Sequence, residues 1–336
     1  MKIAVLSPVA WRTPPRHYGP WEQMASNLTE GLVKAGQKVT LFATADSLTS
    51  AKLEAVVPTG YEEDRTQDAK VVECQHISHL MEKAHQFNVI HNHFDFLPLT
   101  YSRLIPTPML TTVHGFSSPR IIPVYQKYNA TSHYVSISNS NRSPELEYLA
   151  TVYNGIRADD FTYTKQPEDY LLFFGRIHPD KGTAEAIQIA RQSNRKLLIA
   201  GIIQDQTYFD EAVKPFLDEQ IVFLGSAGPA RRNELLGKAW ALLHPISFEE
   251  PFGLSVAEAQ LCGTPVIAFN RGAMPELIQH ERTGYVVSTV GEAVEAVRQI
   301  DRINRAHCRQ WVLTHFTQEK MVADYLNLYQ HILDLR

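Results

Sequence analysis

Short apolar runs alternate with amphipathic stretches along almost the whole chain. Residues 2–6, Lys-Ile-Ala-Val-Leu, form the continuous apolar run expected of a strand buried on both faces, and a Pro-rich loop follows to Gly19. Trp21, Met24, Leu28, Leu32 and Ala35 then recur at helical spacing, which predicts a helix burying that stripe and closed by Gly36. Residues 38–43 read as a second strand and complete a βαβ unit, whose crossover should be right-handed. Further strands are predicted at Val71-Val72, 88–91, 109–114, 133–138 and 151–153, interleaved with helical stretches. This alternation predicts a parallel sheet covered on both faces.

A polar, Pro-containing stretch at 154–168 interrupts the rhythm, which restarts at 170–174 and continues through 196–200, 221–224, 241–243 and 265–269. A chain of 336 residues exceeds one ordinary core. The expected fold is therefore α/β, with doubly wound Rossmann-like domains at 1–156 and 157–316. A terminal helix at 317–336, with Met321, Tyr325, Leu328 and Ile332 at helical spacing, is expected to pack back toward the first domain. Ligands of such sheets bind beyond the carboxyl ends of the strands, so the expected site is a cleft between facing domains.

Composition narrows the partners. Hydrophobic residues make up 44% and charged residues 20%, ordinary globular values that leave no long disordered tract. The net charge is -4 and the two signs balance in residues 1–155, so neither half carries a basic footprint for nucleic acid. A small diphosphate ligand needs only a local basic pair and stays open. Three cysteines, Cys74, Cys262 and Cys308, fit reduced thiols better than a disulfide framework. No apolar run has the length of a signal peptide or a membrane span, and the expectation is a cytoplasmic protein.

Two motifs carry chemistry. Residues 174–182, Phe-Gly-Arg-Ile-His-Pro-Asp-Lys-Gly, leave a buried strand, turn, and enter a helix near Thr183. Arg176 and Lys181 flank that turn, and a guanidinium and an ammonium beside a helix N-terminus suit a diphosphate; the bland alternative is a solvated turn. Residues 250–258 place Glu250 before a helix start and Glu258 eight residues on. If mostly helical, the run separates the carboxylates by ~12 Å, a span that fits the two hydroxyl-bearing ends of a nucleotide-sugar, with the backbone N–H groups of Phe252, Gly253, Leu254 and Ser255 between them for the diphosphate. The bland alternative is a helix with an acidic N-terminus.

The chain resembles the family 4 glycosyltransferases of the GT-B fold, which use nucleotide-sugar donors with retention of anomeric configuration. The resemblance covers nearly the whole chain. It rests on Tyr18-Gly-Pro-Trp-Glu22, His91-Asn-His93, His114-Gly115, Tyr153-Asn-Gly-Ile156, Gly175-Arg176, Lys181-Gly182, the 250–258 run, and Arg271-Gly-Ala-Met-Pro-Glu276. It implies that Arg176 and Lys181 hold the donor diphosphate, Glu258 the ribose hydroxyls and Glu250 the transferred sugar. Backbone groups of Ser226 and Ala227 are implied for the base, and His114 beside the sugar near the reaction centre, where it would help stabilise developing charge. Gly19 is implied to close over the donor. The family has a second glycine there, and this chain has Pro20. The resemblance also implies UDP-glucose as the first expectation for the donor and GDP-mannose as the second.

Cys74, His76, His79, His91 and His93 offer metal-binding side chains, but no carboxylate completes a hydrolase spacing and the chain lacks any Asp-x-Asp. The expectation is a metal-independent enzyme with no cofactor beyond its nucleotide-sugar co-substrate and with a small hydroxyl-bearing acceptor. Trp21 and Trp240 read as packing residues, whereas Trp11 is open to stacking on an acceptor. Competing readings are a nucleotide-sugar epimerase of the same fold, a histidine-based metal hydrolase and a non-catalytic nucleotide-sugar-binding protein.

Overall fold

The computed structural model describes residues 1–116 and 118–335. The chain divides into two compact units: residues 1–155 with 318–336, and residues 156–317. The first unit runs β1 (Lys2–Leu6), α1 (Pro20–Lys34), β2 (Lys38–Phe42), β3 (Lys52–Glu54), α2 (Ala69–Met81), β4 (Val89–Asn92), β5 (Met109–Val113), α3 (Ile122–Tyr128), β6 (His133–Ser136) and β7 (Ala150–Thr151). The second runs β8 (Leu171–Phe174), α4 (Thr183–Gln192), β9 (Leu197–Ala200), α5 (Gln206–Tyr208), β10 (Ile221–Gly225), α6 (Pro229–Lys238), β11 (Ala241–His244), α7 (Leu254–Leu261), β12 (Val266–Phe269), α8 (Met274–Leu277), β13 (Gly284–Val287), α9 (Val290–Gln299) and α10 (Arg305–His315). The last helix, α11 (Gln318–Asp334), belongs to the first unit.

Among the described residues every strand pairing is parallel. The strand orders are β3-β2-β1-β4-β5-β6-β7 and β10-β9-β8-β11-β12-β13, so the order reverses beside β1 in one sheet and beside β8 in the other. These are the switch points where the loops leaving two adjacent strands diverge. The continuous apolar strands follow from cover on both faces. Ile3 and Val5 of β1 pack into one core with Leu28, Leu32, Tyr325 and Ile332, while Ala4 and Leu6 enter another with Ile77, Leu80 and Tyr134.

Three expectations from the pattern need correction. Val71-Val72 is no strand: the Asp68 side chain accepts from the N–H groups of Lys70 and Val71, capping a helix that buries Val72, Ile77 and Leu80. Strands β3 and β13 escaped the reading, the first because it has three residues and no fully buried side chain. The second begins on Gly284, where a Cβ would lie 2.1 Å from the Val266 carbonyl oxygen. On α1, Ala35 is exposed and Trp21 is half-buried rather than core. Trp240 does pack against the core of its unit.

Helix α11 lies against α1 closely enough that a Cβ on Gly31 would stand 2.5 Å from a Val322 methyl carbon. Its Gln318 amide donates to the Asn27 carbonyl at 2.6 Å, and Asn27 donates to the Gly155 carbonyl at 2.9 Å. In the second unit a buried Arg305 donates to the carbonyls of Thr164, Ala239 and Gly237 and to the Thr264 hydroxyl, at 2.6 to 3.0 Å. Among the described residues, no helix is long and apolar enough to cross a membrane.

Candidate functional site

In the second unit the loops after β8 and β11 meet at the switch point. After β8 the chain makes one 3-10 turn, Pro179–Lys181, and Gly182 caps α4 in the left-handed region at φ 75. The Ser247 N–H donates to the Asp180 carbonyl at 2.9 Å, tying the second loop to the first. This brings Lys181 and Glu250, distant in sequence, into a half-buried ion pair: Lys181 Nζ donates to Glu250 Oε2 at 2.6 Å and lies 4.4 Å from the centre of the Phe248 ring. His244, at the end of β11, places Nε2 3.7 Å from the same oxygen.

Charge in this cluster is set by competing effects. Burial works against ionisation of Glu250, but the His244 ring and the Lys181 ammonium outweigh it and hold the carboxyl down to about 2. Burial lowers His244 and favours its neutral form, so Lys181 carries the balancing charge. Arg176, five residues before Lys181, donates to the Gln204 amide oxygen and lies 3.7 Å from Asp180.

Glu258 is placed by α7, which starts at Leu254 behind Gly253, a left-handed cap at φ 96. The 250–258 run is therefore not one continuous helix, and the carboxylates are not separated by helical rise. The first-turn N–H groups of Leu254 and Ser255 have no acceptor within the helix, as at any helix start. The Phe252 side chain is buried and packs edge-on against Phe316, so what it can offer a ligand is backbone. Glu258 is buried, which raises its carboxyl, with Arg232 Nη1 3.3 Å away opposing that effect. Ser226 and Ala227 follow Gly225 at the end of β10, beside Gly201 and Gly175 at the ends of β9 and β8: Gly201 N–H donates to the Gly225 carbonyl at 2.9 Å, and a Cβ on Gly201 would meet the Gly175 carbonyl oxygen.

In the first unit, His114 follows β5 and is buried. Its Nε2 lies 2.8 Å from Nδ1 of His93, and Trp21 stacks on its ring with centres 5.6 Å apart. Burial drives His114 down to about 3, so it is neutral at ordinary pH. Gly19 caps α1 at φ 150, crowded by Pro15 and by Glu22 Oε2, and Pro20 occupies the first helical position, where no N–H is needed. Glu22 is buried, accepts the Trp11 N–H at 3.2 Å, and is pushed up to about 7 by that burial. Of the candidates for a metal site, His91 and His93 lie together, stacked with ring centres 4.3 Å apart, and the others have separate surroundings. Cys74 is exposed, His76 Nε2 meets the Ser7 carbonyl, and His79 pairs with Glu54. Among the described residues no group of three His, Cys, Asp or Glu side chains is arranged to hold a metal.

Residues 157–310 match the family of glycosyl transferases group 1. The match spans nearly all of the second unit, including the Lys181–Glu250 pair. An uncharacterized glycosyltransferase of Methanocaldococcus jannaschii is 24% identical over 84% of each chain. Among solved structures, a sucrose-phosphate synthase from Thermosynechococcus elongatus aligns over 100% of both chains with a TM-score of 0.82 at 18% identity. HepE of Anabaena, solved with UDP and glucose, aligns over 98% of this chain and 99% of its own with a TM-score of 0.73 at 17% identity. The fold is that of the GT-B glycosyltransferases, and the findings together support a glycosyltransferase using a nucleotide sugar.

Several residues of this candidate site were missed in the sequence. His244 ends an apolar strand run immediately before Pro245, a signal available from position alone. Arg232, Phe248 and Gln204 gave none, because their relation to Glu258, Lys181 and Arg176 exists only in the folded unit.

Proposed function

We propose that this protein is a retaining, metal-independent hexosyltransferase that moves glucose from UDP-glucose to a hydroxyl of a small acceptor. The observation that carries the reading is the Lys181–Glu250 pair at the sheet's switch point, with Arg176 five residues away on the same loop. Two cations there suit a diphosphate, and a carboxylate held ionised suits sugar hydroxyls. The UDP and glucose bound by HepE favour this donor over GDP-mannose.

In this reading Arg176 and Lys181 bind the diphosphate, helped by the N–H groups of Leu254 and Ser255 at the start of α7. Glu258 takes the ribose hydroxyls, Glu250 the hydroxyls of the transferred sugar, and backbone groups of Ser226 and Ala227 the base. As the glycosidic bond to the leaving phosphate breaks, negative charge grows on the diphosphate, and the two cations stabilise it more in the transition state than before it. The acceptor hydroxyl attacks from the leaving-group face, and its proton passes to a donor phosphate oxygen. Glu250 then positions the sugar and forms no covalent bond. His114 supplies a hydrogen-bonding group to the reacting sugar, and Gly19 admits close approach of its backbone.

The test incubates the purified protein with UDP-glucose, GDP-mannose and other donors, with and without small sugar acceptors and chelator. Transfer from UDP-glucose with the α configuration kept, undiminished by chelator, is expected. Donor interconversion without acceptor, chelator-sensitive hydrolysis, or binding with no turnover would each replace this reading. Arg176→Ala and Lys181→Ala should each lower turnover at least tenfold, the factor that ~1.4 kcal/mol supplies.

A further inference from the structure

His114 stands at the end of a buried row of rings. His93 meets it edge to edge, ring nitrogen to ring nitrogen, with ring centres 5.1 Å apart, and His91 stacks on His93 at 4.3 Å with the planes 14° apart. His91, His93 and His114 are 0%, 2% and 6% exposed. Burial holds all of them neutral, and at His91 and His93 the neighbouring histidines add to it.

The protons in this row can be traced from its partners. Tyr329 Oη lies 2.5 Å from His91 Nδ1, and Thr112 Oγ1, which also meets Tyr325 at 2.6 Å, lies 2.7 Å from His91 Nε2. Each nitrogen of His91 thus faces a hydroxyl that can donate or accept, and either tautomer is satisfied. His91 and His93 stack face to face, so no hydrogen bond joins them and the proton on His93 is set independently of His91. His93 meets only His114, through Nδ1, and its buried Nε2 has no partner among the described residues. A stranded N–H is the costlier of the two ways to leave that atom, because orphaned buried donors are rarer than under-satisfied acceptors. The proton of His93 is thus on Nδ1 and is donated to His114 Nε2. With Nε2 accepting, neutral His114 must hold its proton on Nδ1.

We propose that His93 is a positioning residue that fixes His114 as the Nδ1–H tautomer, so that His114 offers a sugar oxygen a hydrogen-bond donor and cannot serve as a base. This rests on the reading of His114 as a sugar-contacting group, and it deepens that reading: His114 stabilises an oxygen, and proton removal is left to the donor phosphate. The stack with Trp21 holds the ring against a half-turn flip, which would put a carbon where Nε2 now meets His93.

The test is long-range nitrogen-edited NMR of the full chain labelled with nitrogen-15, with the His114 signals assigned by their loss in His114→Gln. The wild-type protein is expected to show the Nδ1–H pattern at His114; an Nε2–H pattern, or an average of the two, overturns the proposal without any substrate being present. His93→Leu should shift the pattern or average it and lower kcat at least about tenfold with little change in donor KM. His93→Asn, which keeps a donor near the Nδ1 position, should restore the pattern and most of the lost turnover. Persistence of the Nδ1–H pattern in a folded His93→Leu protein also overturns the proposal. Should the leucine variant fail to fold, the wild-type and asparagine spectra still decide. A His114→Ala enzyme with wild-type turnover would remove His114 from the reaction but leave the tautomer result standing, so the two failures are distinguishable.

Discussion

Gly182 and Pro245 touch where the loops after β8 and β11 cross: a Cβ on Gly182 would lie 1.9 Å from the Pro245 carbonyl oxygen. The contact is backbone against backbone, so no side chain can move aside. Gly182→Ala should therefore cost more than about 2 kcal/mol in a urea titration, against about 1 kcal/mol for Gly36→Ala. Gly36 has a similar φ, 78 against 75, but nothing within 4 Å, which makes it the control for backbone strain alone. Equal costs would mean that the two loops part easily.

The Lys181–Glu250 pair sets an acid limb. The folded carboxyl sits at about 2 against 4.5 for the free side chain, so between those values the unfolded chain binds more protons. The stabilisation is complete above pH 4.5 and is lost as pH falls through about 2, by up to roughly 3 kcal/mol. Glu250→Gln should flatten the stability curve across that window. Urea midpoints at pH 5, 4 and 3 that fall equally in both proteins would show the pair contributes nothing.

Glu22 has the opposite sign. Its carboxyl is pushed up to about 7 by burial, so between pH 4.5 and 7 the folded protein holds a proton that the unfolded chain has released. Stability falls as pH rises through that window, by roughly 3 kcal/mol at most. Glu22→Gln should gain on the wild type between pH 5 and pH 8, measured as the difference in thermal midpoint at the two pH values. A difference that does not grow with pH would show that Glu22 ionises freely in the fold.

Arg305 contributes through geometry more than charge. A lysine cannot reach four oxygens arranged around a planar fork, and it would leave several buried acceptors unmatched. Arg305→Lys should cost about 3 kcal/mol or more by denaturant titration. A loss below about 1 kcal/mol would mean that water reaches those carbonyls.

Much of this was legible because the information was local. The βαβ rhythm is written in runs such as Leu171–Phe174 and Val266–Phe269, and strand-end motifs put Arg176, Lys181 and Glu250 beyond the sheet's carboxyl edge. Relations between distant residues were not legible. That Trp21 leaves the stripe of α1 to stack on His114 depends on the entry angle of a loop. Tyr329 went unnoticed because its stripe on α11 turns through Val322, Tyr325, Tyr329 and Ile332, a register that matters only once the helix lies on β4 and β5. In sequence His93 reads as a metal candidate because a histidine pair does not reveal that its partner is a third histidine just beyond the next strand.

The discontinuity of the first unit bears on how the polypeptide matures. Residues 156–317 form a continuous stretch and can fold as soon as they are synthesised, while the first sheet still waits for the helix that covers one of its faces. Until α11 arrives, Ile3, Val5, Leu28 and Leu32 lack part of their cover, and His91 lacks the Tyr329 hydroxyl. The unit whose synthesis begins first is therefore the last to be completed, and it is the one a chaperone would need to shield.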